Sequence, residues 1–306
     1  MADKISDVVV LLPGLIGSVL QKDGKTLWGT SPGALWNVVV GKALKQIIVS
    51  GADNGQDDLG DGVTATGLIP NPEIIPGLWK QGGYSRLSAE MVSALSLRPG
   101  HNFFEFPYDW RRDNRVSARR LAKSAHSWLK DWREESGNSQ AKLILVSHSM
   151  GGLVARYFME CLDGWKDIRM LVSFGTPFRG SGNAVDFLSN GFRWKVGPLS
   201  AFDGTDALRS FESVYQLLPI YSFIGEGAYL QRPADVDIPN IERQRAIEAA
   251  RFHQEMTDAY AAHQVMDEYV VRGPKLRVVI GTEQPTPQSA RVLEGRTELL
   301  QVRQGK

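Results

Sequence analysis

The chain has very little cysteine and no excess of charge of either sign. Its 306 residues include one cysteine, Cys161, so an internal disulfide is excluded. Cys161 falls among apolar residues of a predicted helix, where we expect a buried thiol. Lysine and arginine together number 35, and aspartate and glutamate 34, which leaves a net charge of +1. Such a balance gives no indication of nucleic-acid binding.

Long hydrophobic runs are missing as well. The most apolar N-terminal run, Val8 to Leu20, is interrupted by Pro13, Gly14 and Gly17. It is too short and too broken to span a bilayer, and it makes a poor signal sequence. We therefore expect a cytoplasmic protein. The hydrophobic fraction of 42% is ordinary for a globular chain with a sizeable core.

The chain does contain a strand, a tight turn and a helix in direct succession. Leu143 to Val146 is an apolar run of strand length, Ser147 to Gly152 is a corner of small residues, and Leu153 to Leu162 continues with helix formers. A serine at the apex of such a turn, here Ser149, is typical of the nucleophile elbow of α/β-hydrolases. The usual pattern is G-x-S-x-G, and Ser147 replaces the first glycine at a position that mainly requires a small side chain. The alternative is a Gly/Ser-rich turn without chemistry.

A second loop supplies a candidate partner for the elbow serine. Val8 to Leu12 is wholly apolar and predicts a buried parallel strand, and Pro13 to Ser18 follow it. In α/β-hydrolases the loop after an early strand donates one backbone N–H to the oxyanion, and the residue after the nucleophile donates the other. The N–H groups of Leu15 and Met150 are therefore the candidates. Without the elbow, this segment would fit a plain Gly/Pro loop equally well.

Strands and helices alternate along most of the chain. This predicts an α/β-hydrolase fold, with a mainly parallel sheet and helices on both faces. Val116 to Trp132 is an amphipathic helix that ends at Gly137, Ser85 to Leu97 is a second helix, and Ile241 to Tyr269 is helical, continuous or broken. Further strands are predicted at Asn102 to Phe106, Met170 to Phe174, Leu276 to Ile280, which we expect to be buried, and Thr297 to Val302.

Two long segments, about residues 21–79 and 181–239, do not fit this alternation. Both are rich in turn residues and aromatic residues, and they are too apolar to be disordered. Long irregular segments inside a compact domain are usually functional. We expect them to form cap or lid insertions over the active site, within a single α/β-hydrolase domain that spans residues 1–306.

Several short segments together resemble one family. They are Leu12-Pro13-Gly14-Leu15-Ile16-Gly17-Ser18, Phe106-Pro107-Tyr108-Asp109-Trp110-Arg111, Ser147 to Gly152, Phe174-Gly175-Thr176-Pro177-Phe178-Arg179-Gly180-Ser181, Tyr215 to Pro219 and Gly281 to Pro287. Over roughly residues 8–302 the chain is similar to the lecithin:cholesterol acyltransferase-like family of α/β-hydrolases. That family contains lipid acyltransferases and phospholipases of the A type.

The resemblance implies a Ser–Asp–His triad, two backbone oxyanion donors, cap regions that bind an acyl chain, no metal and no organic cofactor. Ser149 matches the nucleophile, while Leu15 and Met150 match the oxyanion positions. Asp109 and Arg111 match residues that we expect to form a structural ion-paired corner. Trp36 would line an acyl site or, as we favour, fill the core of the cap. The expected partners are a lipid ester and, transiently, a membrane or lipid surface.

The base and the acid of the triad are not evident. His148 is adjacent to the nucleophile, with its side chain directed elsewhere, and only His253 and His263 follow Ser149. Both precede the Leu276 strand, which is too early for the usual histidine loop, so they are weak internal candidates. Glu283 follows the strand after which the acid often lies, but no histidine comes after it.

Members of the resembled family place an Asp shortly after the segment that matches Gly281 to Pro287, and the histidine further on. We therefore expect the chain to be part of a longer protein, with the Asp and His beyond Lys306. Two functions remain open: a serine-dependent lipid acyl hydrolase or acyltransferase, and a catalytically incomplete hydrolase-fold module with a binding or regulatory role. The substrate, the acyl acceptor and the oligomeric state do not follow from the sequence.

Overall fold

A computed structural model describes residues 5–29, 42–51, 53, 55–70, 83–196, 200–227, 229–283 and 285–301. The strands within these ranges are, in chain order, β1 (Val8–Leu12), β2 (Ser18–Lys22), β3 (Lys25–Trp28), β4 (Val63–Leu68), β5 (Phe103–Glu105), β6 (Leu143–His148), β7 (Ile168–Phe174), β8 (Arg193–Val196), β9 (Ser200–Asp203), β10 (Ile224–Glu226), β11 (Tyr229–Gln231), β12 (Lys275–Val279), β13 (Ser289–Leu293) and β14 (Arg296–Leu300). The α-helices are α1 (Lys42–Ile47), α2 (Tyr84–Leu95), α3 (Asn114–Ser136), α4 (Gly151–Cys161), α5 (Gly182–Asn190), α6 (Thr205–Ser210), α7 (Glu212–Tyr215), α8 (Arg243–His263) and α9 (Asp267–Arg272).

The central sheet is parallel throughout, as the alternation of strands and helices predicts. Its order is β12-β7-β6-β1-β5. The strand β1 is buried along its whole length, because β-branched and leucine side chains cover both of its faces. Its register pairs Leu12 with Ser147, so the end of β1 lies beside the end of β6. The Pro13 loop and the elbow therefore leave the sheet at the same edge.

Side chains from β1 divide between the two faces of this sheet. Val8, Val10 and Leu12 belong to one buried cluster, and Val9 and Leu11 to another. Such alternation follows from the two-residue period of a strand. Helices pack on both sides, which confirms the predicted layers. No helix within the described ranges combines the length and the apolar character needed to cross a bilayer.

The helix α3 has the boundaries that its sequence signals predict. Asp113 is its N-cap and accepts a hydrogen bond from the backbone N–H of Arg115 at 2.7 Å. Gly137 is its C-cap, with a left-handed φ of 69° that glycine adopts without steric cost. The predicted apolar face is buried; it includes Leu121, Ala125, Leu129 and Trp132. The helical stretch after Ile241 is broken into α8 and α9, with the break at residues 264–266.

The expectation that the Leu276 strand is buried is wrong. All five residues of β12 are exposed. The exposed fractions of Leu276 and Val278 are 41% and 47%, and that of Ile280, which follows the strand, is 71%. The reason is its place at the end of the sheet order, where β7 pairs with one edge and no described strand pairs with the other. An apolar sequence indicates that a strand could be buried, but burial also requires neighbouring elements that cover it.

Both segments predicted as irregular caps contain regular structure. In the first, β3 and β4 form an antiparallel sheet with β2, which begins just before the segment; the order is β3-β2-β4. The second contains α5 to α7, the antiparallel pair β8 and β9, and the strands β10 and β11. These elements were missed because none of them is longer than nine residues and turns separate them. Trp36 and residues 71–79 lie outside the described residues. A cap role for either segment stays a prediction.

The strand predicted at Thr297 is present as β14, but it does not belong to the central sheet. It pairs antiparallel with β13 in a second sheet of order β11-β10-β13-β14. Val302 lies outside the described residues. Cys161 also differs from expectation, because it is only partly buried. Partial burial and the nearby charges of Glu255 and Glu160 raise the pKa of its thiol to about 12.

Candidate active site

Ser149 lies at the turn between the end of β6 and the start of α4. Its φ of 51° is left-handed, an uncommon conformation for a residue with a Cβ. Two backbone hydrogen bonds hold it: its N–H donates to the carbonyl of Phe174 at 2.9 Å, and its carbonyl accepts from the N–H of Gly152 at 3.0 Å. The side chain is partly exposed. A strained, partly exposed serine between a strand and a helix has the geometry of a nucleophile elbow.

The glycines after Ser149 are required by close packing. A Cβ on Gly151 would lie 2.3 Å from the carbonyl oxygen of Pro13, and a Cβ on Gly152 would lie 2.0 Å from Oγ1 of Thr176. Neither contact is possible for a real side chain, so the first turn of α4 packs directly against the ends of β1 and β7. The two glycines of the motif thus bring the elbow against the Pro13 loop.

Ser147 stands at the first glycine position of the elbow pattern. It is fully buried, and its hydroxyl donates to the carbonyl oxygen of Val172 on β7 at 3.3 Å. The position accepts a small polar side chain because a backbone acceptor is within reach. This departure from the usual pattern is therefore accommodated by the sheet itself.

The Pro13 loop packs against the elbow at Gly14. A Cβ there would lie 2.9 Å from Cβ of Ser149 and 3.1 Å from Nδ1 of His148, so only glycine allows this approach. The structure thereby brings together the two segments that contain Leu15 and Met150. Neither of their N–H groups donates a hydrogen bond to a described residue. Two backbone donors near a serine, neither of them bonded to a described residue, are the kind of arrangement that an oxyanion requires.

Aromatic side chains fix the conformation of this loop. The hydroxyl of Tyr108 donates to the carbonyl of Pro13 at 2.9 Å, and the indole N–H of Trp28 donates to the carbonyl of Ile16 at 2.9 Å. Ile16 has a φ of 58°, which is an outlier for a β-branched residue. Such strain persists only where the surroundings over-determine it, and it concentrates at functional sites.

His148 is directed away from Ser149, as expected. Its Nδ1 lies 2.8 Å from the hydroxyl of Tyr84, and burial lowers the pKa of its imidazole to about 4. It is therefore neutral at pH 7. Tyr84 was not predicted as a site residue. No sequence signal links it to the elbow, since it is 64 residues away from His148.

The two internal candidates for the base are not brought to Ser149. His253 lies on α8 with Nε2 2.8 Å from the carbonyl oxygen of Gln216, and burial lowers its pKa to about 4. Nδ1 of His263 pairs with Glu160 at 2.9 Å, at the far end of α4. At ~1.5 Å of rise per residue, Glu160 is about 16 Å from Ser149. The remaining histidines are also engaged elsewhere: His101 with Glu135 and His126 with Asp167.

The segment after β7 and β12 lies at the same sheet edge as the elbow. The N–H of Gly175 donates to the carbonyl of Val279 at 2.9 Å, so β12 ends level with β7. Glu283 follows β12, is exposed and has a φ of 60°. Its position therefore agrees with the strand after which an acid is expected, but no described histidine stands next to it.

Asp109 and Arg111 form the expected ion-paired corner. The Arg111 guanidinium is fully buried and donates to both carboxylate oxygens of Asp109, at 2.9 and 2.6 Å. A third donor reaches Asp61 at 2.8 Å. Despite the opposing effect of burial, the hydrogen bond from Arg111 holds the pKa of Asp61 below its usual value. Asp61 was missed because it comes from the first predicted cap segment.

The described residues contain no cluster of three or more His, Cys, Asp or Glu side chains that could hold a metal ion. The arrangement around Ser149 consists of one hydroxyl and two backbone N–H groups. In general, a serine hydroxyl can form an acyl ester, and backbone N–H groups can stabilise the oxyanion of the tetrahedral intermediate that precedes it.

Comparison with known proteins identifies the family of this chain. The model of the family described as "Lecithin:cholesterol acyltransferase" matches residues 80–270, which is more than half of the chain. The chain belongs to the lecithin:cholesterol acyltransferase family. The protein has the α/β-hydrolase fold predicted from its sequence, in which a tight turn follows strand β6 of the parallel sheet.

Relatives of this lecithin:cholesterol acyltransferase family member include a human protein named "Lysosomal phospholipase A and acyltransferase". It is 26% identical over 214 residues, which cover 68% of this chain and 50% of the relative. "Lecithin-cholesterol acyltransferase-like 4" of Arabidopsis thaliana is 26% identical over 214 residues, or 62% of this chain and 37% of the relative. The chain thus spans about half the length, or less, of these two relatives.

A solved structure supports the fold of this family member. A chain of "The crystal structure of Tle4-Tli4 complex" superposes with a TM-score of 0.53 at 16% identity. The match covers 83% of this chain and 72% of that chain. Identity at this level concerns the fold alone.

Proposed function

We propose that this protein is a serine-dependent lipid acyl hydrolase or acyltransferase that works through an acyl-enzyme on Ser149. The Ser149 hydroxyl attacks the carbonyl carbon of a lipid ester and loses its proton to a base. The tetrahedral oxyanion accepts hydrogen bonds from the N–H groups of Leu15 and Met150. The alkoxide then leaves with that proton, and water or a second alcohol releases the acyl group.

One observation carries this proposal: a left-handed Ser149 at the end of a central parallel strand, in contact with the Gly14 loop. The strain at Ser149 and the strain at Ile16 occur on the two segments that the mechanism requires. The names of the relatives, which include a phospholipase and acyltransferases, support a lipid ester as substrate. A transient lipid-surface contact would follow from such a substrate. A cytoplasmic location stays a prediction.

In this proposal, none of the described histidines is the base that activates Ser149. Support comes from the histidines, all five of which are described and none of which reaches the Ser149 hydroxyl. A serine without a base is a weak nucleophile, so turnover by these 306 residues alone should be slow. Residual rate would come from the oxyanion donors and substrate binding.

The lack of a described histidine at Ser149 favours the second candidate, a hydrolase-fold module that binds without turnover. Both candidates use the surface around Ser149, but they differ in the reactivity of its hydroxyl. In the first, Ser149 attacks an electrophile, whereas in the second it has no covalent role.

A fluorophosphonate probe separates the two candidates. Because no described histidine activates Ser149, we expect slow labelling of the purified chain at Ser149, which is lost in Ser149→Ala and retained in Ser147→Ala. Ser147 is a matched control because it is two residues away in the same motif, but its buried hydroxyl is bonded to Val172. Phospholipid hydrolysis, followed by release of fatty acid, tests turnover in the same three proteins. Labelling that persists in Ser149→Ala, or none in the wild-type protein, would contradict the proposed mechanism and favour the binding module.

A further inference from the structure

The hydroxyl of Tyr84 bridges the two segments that meet at Ser149. It accepts a hydrogen bond from the N–H of Gly14 at 2.8 Å, and it lies 2.8 Å from Nδ1 of His148. Tyr84 is the first residue of α2 and is only 4% exposed. Gly14 precedes Leu15, and His148 precedes Ser149. One buried hydroxyl thus contacts the residue before each proposed reacting group.

The Gly14 bond fixes one of the two hydrogen-bond directions in this bridge. A backbone N–H only donates, so the Tyr84 oxygen is the acceptor there. The Tyr84 oxygen has a second lone pair, so the direction of its bond to His148 depends on the ring tautomer; we assign the Tyr84 proton to Nδ1. With this assignment, the neutral ring carries its own proton on Nε2. Burial lowers the pKa of His148 and raises that of Tyr84, so the same arrangement persists across the neutral pH range.

The Tyr84 bridge lies where the loop and the elbow are in close contact. The backbone of Gly14 lies so near Ser149 that a Cβ on Gly14 would be only 2.9 Å from Cβ of Ser149. Tyr108 and Trp28 hold the loop at Pro13 and Ile16, but they bond to the loop only and do not bond to the elbow. Tyr84 is the described side chain that bonds to both.

We propose that Tyr84 is a positioning residue, whose hydroxyl sets the spacing between the Leu15 N–H and the Ser149 hydroxyl. It does not touch substrate; it acts through Gly14 and His148. This role rests on the proposed function of Ser149. It predicts that loss of one buried oxygen lowers the rate of Ser149 chemistry without a matching change in substrate binding.

The test compares Tyr84→Phe with Tyr215→Phe. Both wild-type hydroxyls are on buried tyrosines and accept a backbone N–H, from Gly14 and from Glu242 respectively. Only the first also bonds to the elbow. We expect Tyr84→Phe to slow fluorophosphonate labelling of Ser149 about 10- to 100-fold, less than complete loss of an oxyanion donor would. In phospholipid hydrolysis, kcat should fall by a similar factor while KM stays within twofold. Tyr215→Phe should change neither quantity.

A nitrogen-detected NMR measurement of the His148 ring tests the bridge independently of turnover. The wild-type ring should be neutral, protonated at Nε2 and hydrogen-bonded at Nδ1 between pH 6 and 8, and Tyr84→Phe should shift the Nδ1 resonance. His148→Asn, which keeps an acceptor near the Nδ1 position, should retain most of the labelling rate. His148→Leu should match Tyr84→Phe, and the double variant should be no slower than either single variant.

Each outcome decides a separate point. A labelling rate in Tyr84→Phe within twofold of wild type, or equal losses in Tyr84→Phe and Tyr215→Phe, overturns the positioning role. A wild-type ring protonated at Nδ1 overturns the assigned direction of the bond, and an Nδ1 resonance that does not move in Tyr84→Phe overturns the bridge itself. Absence of labelling in the wild-type protein overturns the proposed function and, with it, the catalytic meaning of the bridge, although the NMR shift would still be observed.

Discussion

Removal of Arg111 from its buried corner should destabilise the protein more than removal of one partner from a surface ion pair. Its guanidinium is fully buried, makes two bonds to Asp109 and one to Asp61, and also donates to the carbonyl of Ile47 at 3.3 Å. Replacing it by methionine keeps the length of the side chain but leaves the Asp109 carboxylate buried without its partner. Removal of one member of a buried pair typically costs about 3–5 kcal/mol.

The three side chains of this corner predict an order of effects. Arg111→Met should cost about 3–5 kcal/mol. Asp109→Asn keeps one acceptor for the guanidinium, so about 2 kcal/mol is expected. The side chain of Asp61 is 28% exposed, and water can replace part of its interaction, so Asp61→Asn should cost about 1 kcal/mol.

Urea unfolding followed by far-UV circular dichroism at pH 7 measures this order. Glu90→Gln is a suitable control, because its pair with Arg86 on α2 has side chains 73% and 61% exposed, and its unfolding midpoint should not move. The reasoning would be refuted if Arg111→Met cost less than about 1 kcal/mol, or if Asp61→Asn destabilised more than Asp109→Asn.

Two further predictions concern acid stability and the loop contact. Burial lowers the pKa of His253 to about 4, so between about pH 6.5 and 4 the unfolded chain binds a proton that the folded chain does not. The free energy of unfolding should fall as pH drops through this window, by at most about 1.4 kcal/mol per pH unit for this group. His253→Gln should flatten the dependence of the urea midpoint on pH, and an unchanged slope would count against the argument. Gly14→Ala should abolish fluorophosphonate labelling of Ser149, because the new Cβ would lie 2.9 Å from that of Ser149. Gly67→Ala is the control, since a Cβ there would have no neighbour within 4 Å, and it should be labelled like wild type. Equal labelling of both variants would mean that the loop can move aside freely.

Local signals predicted the elbow and the strand β1. Both depend on consecutive residues: an apolar run, small residues at a turn, and helix formers after it. The parallel sheet followed from the alternation of such units. Family resemblance then assigned roles to Leu15, Ser149 and Met150, and the structure places all three at one edge of the sheet.

Contacts between distant residues were not predictable in this way. Nothing in the sequence around Tyr84 indicates that its hydroxyl reaches Gly14, which is 70 residues earlier. The pairing of Arg111 with Asp61 likewise joins a recognised motif to an unassigned segment 50 residues away. These contacts depend on tertiary packing, and the sequence around either residue contains no repeating pattern that would indicate them.

The exposure of β12 has a consequence for handling the protein in solution. Its outer edge presents backbone N–H and C=O groups to which no described strand is bonded, and Leu276, Val278 and Ile280 are exposed beside them. Such an edge can template the addition of strands from other molecules, and its apolar side chains favour their retention. Samples of these 306 residues should therefore lose monodispersity as concentration rises, and a charged residue in place of Val278 should keep them dispersed.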